Sequence, residues 1–206
     1  MNLVIISASQ RKQSQSAKVA QYLSEVSTGY KKVIHFELCQ YQLPLWDGEQ
    51  TSKFLKSCDW GMINQHLNEA DAVIVITPEW SGMASPLLKN FLMMCSSLDT
   101  AHKPVLLVAV SSGISGVYPI AELRMNALKN NKLVAIPDHL IIRNVEEILN
   151  DHKDRASPLS KADEYIRHRI GYSLHILSKY SKSLKTMRTE LLTQPYENEK
   201  QYSYAM

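Results

Sequence analysis

Residues 3–26 read LVIISASQRKQSQSAKVAQYLSEV, and the fold follows from how this stretch divides. Leu3 to Ser7 is a short apolar run rich in β-branched residues, as a strand covered on both faces requires. Ser9 to Ser16 is polar and rich in hydroxyls. From there Val19, Ala20, Leu23 and Val26 share one helical face, with Ser16 placed to cap the helix. A buried strand, a polar turn and an amphipathic helix in immediate succession form the opening half of a β-α-β unit.

The same unit recurs along the chain. Lys32 to Phe36, Ala72 to Thr77 and Val105 to Ser111 are further buried strands, and Lys132 to Ile136 is a weaker fifth that continues through Leu140-Ile141-Ile142 after Pro137. Between them, Trp60, Ile63, Leu67 and Ala70 mark a second helix. Leu87, Leu88, Phe91, Leu92, Cys95 and Leu98 form a third stripe behind Pro86, a residue suited to a first helical turn. Ile120, Leu123, Ala127 and Leu128 mark a fourth. Alternation of this kind predicts a three-layer α/β/α sandwich around a doubly wound parallel sheet. In such sheets ligands sit outside the carboxyl ends of the strands, so the turns after Ser7, Thr77 and Ser111 are the places to look.

The chain has 206 residues, 45% of them hydrophobic and 21% charged, with a formal charge of +3. That length suits one domain with an appendage. The charge is too small and too mixed to predict nucleic-acid binding. Cys39, Cys58 and Cys95 are odd in number and fall in no metal-binding spacing, as expected of reduced thiols. No apolar run reaches a membrane span and no leader pattern precedes Leu3, so a cytoplasmic location away from membranes is expected.

After Pro158, Ala162, Ile166, Ile170, Leu174, Leu177, Leu184 and Leu191 keep helical spacing as far as Thr193. A helix of that length spans about 50 Å, so it either breaks near Tyr180-Ser181 or carries its far half off the domain. We expect a domain over residues 1–183 and a helical extension with a poorly ordered tail over 184–206. Lys179, Lys182, Lys185 and Arg188 give the helix a basic edge beside its apolar seam, and that seam is expected to meet a neighbouring subunit.

Two of the three turns carry chemistry on their face. Ser9, Arg11, Ser14 and Ser16 place hydroxyls and a guanidinium before a helix N-terminus, a donor set that suits a terminal phosphate. The glycine fingerprints for dinucleotides and for nucleotide hydrolases are absent. A solvated polar turn is the plainer reading of these residues. Pro78-Glu79-Trp80-Ser81-Gly82-Met83-Ala84-Ser85-Pro86 combines an aromatic, a glycine and two prolines where an exposed loop would carry charge. Such a loop suits a flat heteroaromatic ligand. Its plainer reading is that Trp80 fills a satellite core.

With the third loop, Ser111-Ser112-Gly113-Ile114-Ser115-Gly116, the sequence resembles the NAD(P)H-dependent FMN reductase family, flavodoxin-like proteins that include azoreductases, quinone reductases and chromate reductases. The family pattern G-S-x-R-x-x-S-x-N is met by Ser9, Arg11 and Ser14, with Ala8 for glycine and Ser16 for asparagine. P-E-Y-N-x-S-x-P followed by L-K-N resembles Pro78-Glu79-Trp80-Ser81 and Leu88-Lys89-Asn90. Trp80 replaces tyrosine, Ser81 replaces asparagine and Met83 replaces serine. S-x-G-x-x-G is similar to Ser111 through Gly116, and Leu43-Pro44-Leu45 resembles a family feature after the second strand.

The resemblance covers about residues 1 to 145. It implies five parallel strands in the order 2-1-3-4-5 and FMN as cofactor, with Ser9, Arg11, Ser14 and Ser16 on the phosphate. Pro78, Glu79, Trp80, Ser81, Gly82 and Met83 would embrace the ribityl and ring, and Ser111, Ser112, Gly113 and Gly116 would line its other side. NADPH or NADH would serve as co-substrate, a small molecule as electron acceptor, and a homodimer or homotetramer as the assembly. No protein nucleophile is required. Glu79 is expected to make a structural hydrogen bond, and His35, His66, His102, His139 and His152 to be mostly solvated. An electron carrier of the same fold, or a non-catalytic protein that has lost flavin, are the alternatives.

Overall fold

In the computed structural model, which describes residues 1–150 and 158–198, five parallel strands run β1 (Asn2–Ser7), β2 (Lys32–Glu37), β3 (Ala72–Pro78), β4 (Pro104–Val110) and β5 (Val134–Ile142). Their order across the sheet is β2-β1-β3-β4-β5. The helices are α1 (Gln15–Val26), α2 (Trp60–Glu69), α3 (Pro86–Met94), α4 (Ser97–Thr100), α5 (Val117–Asn126) and α6 (Lys161–Thr193). Side-chain alternation divides the core between the two faces. Val4 and Ile6 of β1 join Trp60, Ile63, Leu88, Phe91 and Leu123 under α2, α3 and α5. Leu3 and Ile5 join Val19, Leu23, Ile170, Leu174 and Leu177 under α1 and α6.

Three elements differ from the sequence expectation. β5 runs without interruption through Pro137, because β5 is an edge strand and its register slips opposite Val105 and Leu107. Proline is tolerated at an edge bulge, where the missing amide breaks no ladder bond. The Arg124 guanidinium covers the freed carbonyls of Ile136 (2.6 Å) and Pro137 (3.0 Å). The stripe from Leu87 to Leu98 is not one helix: α3 stops at Met94 and Ser96 starts a new turn. Ser96-Ser97-Leu98-Asp99 is itself a helix-start signal, with Ser96 Oγ bonded to Asp99 at 2.5 Å, and Leu98 is left exposed.

α6 is the third. It crosses Tyr180-Ser181 unbroken, and Ser181 is buried there, bonding the Leu177 carbonyl (2.7 Å) and the Tyr30 hydroxyl (2.8 Å). Ile170, Leu174 and Leu177 find their partners in this chain's own sheet. Lys185 and Arg188 still reach Asp71 at 2.9 and 3.6 Å, and only the last turn, with Leu192, overhangs. The expectation of a poorly ordered tail concerns residues that, from 199 onward, lie outside the described ones.

Lys103 marks the opposite edge of the sheet. It is 6% exposed, and its Nζ donates to the carbonyls of Leu67 (2.5 Å) and Asn68 (2.9 Å) near the end of α2, where carbonyls otherwise lack partners. Burial and the Arg188 charge push its pKa down to about 8. An unfolded lysine titrates near 10.4, so between those values the unfolded chain holds more protons and stability rises with pH. Wild-type protein should gain ~3 kcal/mol on K103M between pH 7.5 and 10.5. Denaturant melts of the pair at each pH measure this, and a pH-independent difference would contradict it.

Candidate functional site

β1, β3 and β4 are neighbours, so the turns that follow them leave the carboxyl edge of the sheet side by side. At about 4.8 Å between strands, the outer two start about 10 Å apart. The ladder pins each turn at its root. Ala8 N–H donates to the Ile76 carbonyl, Glu79 N–H to that of Val110, and Ser111 N–H to that of Ile142, each at 2.9 Å.

In the first turn Ser9 is buried, and its Oγ accepts from the Arg11 amide at 3.2 Å. The cap of α1 is Ser14 rather than Ser16. Ser14 Oγ accepts from Ala17 N–H and its carbonyl from Lys18 N–H, both at 3.1 Å. Starting the helix two residues earlier turns Ser16 inward, where it is 1% exposed and its Oγ has no hydrogen-bond partner. Gln15 Oε1 is likewise buried and unpartnered. The backbone amides of residues 12–16 have no internal acceptor among the described residues. A buried hydroxyl without a partner, as at Ser16, is rare without a reason, and open amides at a helix N-terminus favour an anion. The turn thus has the donors to hold an anion such as a phosphate.

The turn after β3 is a two-residue hairpin. Ser81 (φ 52°) and Gly82 (φ 75°) both take positive φ, and Trp80 and Met83 exchange backbone bonds of 3.1 and 2.9 Å, the arrangement of a type I′ turn. The tip amides of Ser81 and Gly82 have no internal acceptor among the described residues. Thr77 Oγ1 bonds the Pro78 carbonyl (3.0 Å) and the Ser85 amide (2.9 Å). Ser85 Oγ caps α3 and also donates to the Ala8 carbonyl at 2.5 Å, which ties this turn to the first. A second tie is the Arg11 guanidinium, 5.5 Å from the centre of the Trp80 ring.

From α5, Glu122 accepts from the Ala84 amide at 2.8 Å and from Lys89 Nζ at 3.0 Å. Burial raises the Glu122 carboxyl, but these two bonds outweigh it and hold its pKa below the usual range. Glu79 departs from expectation: among the described residues its carboxylate makes no hydrogen bond, and Oε2 is buried without a partner. It is the turn's backbone, through Thr77, Ser85 and Glu122, that carries the structural bonds assigned to it.

In the turn after β4, Ser111 Oγ lies 3.2 Å from Ser115 Oγ and accepts from Gly113 N–H at 3.2 Å. Asn144 N–H bonds the Gly113 carbonyl and Val145 N–H that of Ser111, both at 3.2 Å, while Arg143 Nε bonds the Ser115 carbonyl at 2.9 Å. Gly116 has φ 109° and caps α5. Ser112 is exposed, and Met83, Ile114, Val117 and Tyr118 form an exposed apolar rim, with Tyr118 against Gly82.

All fourteen residues singled out in the sequence thus lie on three adjacent turns or, for Pro78 and Ser16, at the strand end and first helical turn that flank them. Thr77, Ser85, Glu122, Arg143 and Asn144, which hold those turns, were not among them. Ser85-Pro86 carries a legible signal, a cap followed by proline; Glu122 and Asn144 come from distant elements with no spacing to betray them. The histidines are less solvated than expected, since His35 in β2, His66 in α2, His102 before β4 and His139 in β5 are all half-buried. Burial lowers the pKa of His35, although Glu37 opposes it, and its Nε2 is 2.7 Å from Ser7 Oγ. His152 lies outside the described residues.

A profile described as NADPH-dependent FMN reductase matches residues 1–147, and the chain belongs to that family. A relative, the NADPH azoreductase of Bacillus sp. (strain OY1-2), is 29% identical over 159 residues, covering 77% of this chain and 86% of the relative. Among solved structures, an oxidoreductase from Corynebacterium diphtheriae superposes with a TM-score of 0.67 at 17% identity, over 88% of this chain and 97% of that one. The NAD(P)H:(acceptor) oxidoreductase FerB from Paracoccus denitrificans gives 0.64 at 16% identity, over 88% and 97%. These structures share the flavodoxin-like fold. The protein is therefore a flavin-dependent oxidoreductase that uses FMN with NAD(P)H as co-substrate.

Proposed function

We propose that the three turns hold FMN and that the protein passes electrons from NAD(P)H to a small-molecule acceptor such as a flavin, quinone or azo compound, the two substrates using one open face in turn. The buried, unpartnered Ser16 hydroxyl beside open helix amides carries this reading. Ser9, Arg11, Ser14 and Ser16 hold the phosphate. The tip amides of Ser81 and Gly82 bond ring acceptors, Pro78, Glu79, Trp80 and Met83 wall the ribityl and ring, and Ser111, Ser112, Gly113 and Gly116 close the other side. When bound, FMN supplies the hydride acceptance and onward transfer. The rim of Met83, Ile114, Val117 and Tyr118 excludes water around the exposed face, and no protein acid or base enters the scheme.

Purified protein should show flavin absorption bands and oxidise NADPH in the presence of a quinone. A colourless protein that leaves added FMN fluorescence unquenched would overturn the proposal, and bound flavin without turnover would reduce it to an electron carrier.

We also propose a homodimer or homotetramer, with residues 184–206 as an extension of the flavin domain. Exposed Met93, with Trp46, Leu92 and Ala127, lines a cavity of about 420 Å3 between the loop after β2, α3 and the end of α5, a surface suited to a second copy. A monomeric mass by light scattering would contradict it. Three free thiols favour a reducing cytoplasm, and no helix among the described residues is long and apolar enough to cross a membrane.

A further inference from the structure

A second cleft lies at the amino edge of the sheet, about 20 Å along β4 from the three turns. Its volume is about 460 Å3, and its walls are the entry to β4 with His102 and Lys103, Lys132 before β5, α4 with Leu98, and the end of α6 with Arg188, Leu191 and Leu192. That size lies within the range of small-molecule pockets, about 300–1,000 Å3. The wall from α6 lies beyond the segment that matches the family profile.

The charges around the cleft do not balance. Asp71 is engaged by Lys185 at 2.9 Å and by the Asn2 amide at 2.8 Å, with Arg188 farther off at 3.6 Å. Asp99 directs its two oxygens to Asn64 (3.1 Å) and Ser96 (2.5 Å). Lys132 has no ion pair among the described residues, and Lys103 spends its bonds on neutral carbonyls. Lys103, Lys132 and Arg188 therefore line the cleft against one lining carboxylate, Asp99, while Asp71 is countered by Lys185. Burial and then the Arg188 charge lower the pKa of Lys103, while Asp71 and Asp99 oppose the shift.

The mouth of the cleft is apolar: Leu98 is 91% exposed, Leu192 83% and Leu191 36%. The backbone adds a further observation. His102 (φ 59°) and Lys132 (φ 53°) both take the left-handed conformation and face each other through a 2.8 Å bond from His102 N–H to the Lys132 carbonyl. Glycine would adopt that conformation without strain, whereas other residues are strained there. Two side chains that carry or can carry positive charge are kept at strained positions on one cleft wall.

We propose that this cleft binds a small amphipathic anion, a carboxylate on an apolar chain, with its head near Lys132 and Arg188 and its chain along Leu98, Leu191 and Leu192. Calorimetric titration of sodium octanoate into the full-length protein tests this, with 1-octanol and sodium acetate as probes that lack the charge or the chain. Octanoate should bind at one saturable site, and each control should bind at least about tenfold more weakly. K132E and L192D should each weaken octanoate by about tenfold or more, with melting temperatures that show both variants folded. Octanoate binding that is unsaturable, or equal in wild type and both variants, would overturn the proposal. So would a fall in solution mass for L192D, which would make the leucines a contact between copies of the chain.

Discussion

Replacing Ser16 with aspartate is expected to weaken FMN binding about a thousandfold while the protein stays folded. Ser16 is the second residue of α1, and although it is buried, a carboxylate there is stabilised by the helix's open amides and positive end, which offset its desolvation. The amides of residues 12–16 lack internal acceptors, so the new carboxylate can take the bonds that the cradle holds open for phosphate. Ligand phosphate then meets a like charge in a site it must share. At 4 Å and an effective dielectric of 20 each such pair costs about 4 kcal/mol, which is close to three powers of ten in affinity. S16A removes only one hydroxyl and should cost about tenfold. Fluorescence titration with FMN measures both, and riboflavin, which lacks the phosphate, supplies the control. Its affinity should move by less than about threefold in either variant. An equal loss for FMN and riboflavin would show that the phosphate does not lie against Ser16.

That residue also shows where reading the sequence reached its limit. Ser14 and Ser16 are both acceptable caps, and both stand before the same apolar stripe. Which hydroxyl reaches Ala17 N–H depends on where the backbone turns, and Gln13, at φ 52°, makes the turn early. The difference converts Ser16 from an ordinary cap into a buried group without a partner, the more informative of the two. Strands β1, β3 and β4 were legible because burial on both faces leaves unbroken apolar runs. β5 was legible only in pieces, since an edge strand admits Pro137 and polar residues that a central strand would exclude. Glu79 failed differently. Its neighbours Thr77 and Ser85, with Glu122 from α5, satisfy the hairpin's backbone, and no local pattern ties Glu122 to a turn 38 residues away. The turns themselves could be located because topology, not local sequence, brings three strand ends together; the residues that stiffen them had to be seen.

The stiffness of the third turn can be measured at Gly116. Its φ of 109° lies well outside the range that side chains accept, and a Cβ there would come within 2.5 Å of Ile141 Cγ2. Ile141 is β-branched and its methyl cannot swing aside without leaving its rotamer. G116A should therefore destabilise the protein by about 3 kcal/mol, from backbone strain of about 1–2 and overpacking of about 1–3. G113A, where nothing lies within 4 Å of the added carbon and φ is not positive, should change stability by less than ~0.5 kcal/mol. Replacing Ile141 separates the two parts of the Gly116 effect. I141A removes Cγ2, so adding G116A to it should cost only the backbone part, whereas I141V keeps Cγ2 and should give no relief. Chemical denaturation of the single and double variants yields the coupling energy directly. Equal costs for G116A in all three backgrounds would mean that the contact with Ile141 does not constrain this turn. A coupling confined to I141A would show β5 fixing the position of Gly116, and with it the Ser111 to Ser115 loop proposed to line the flavin.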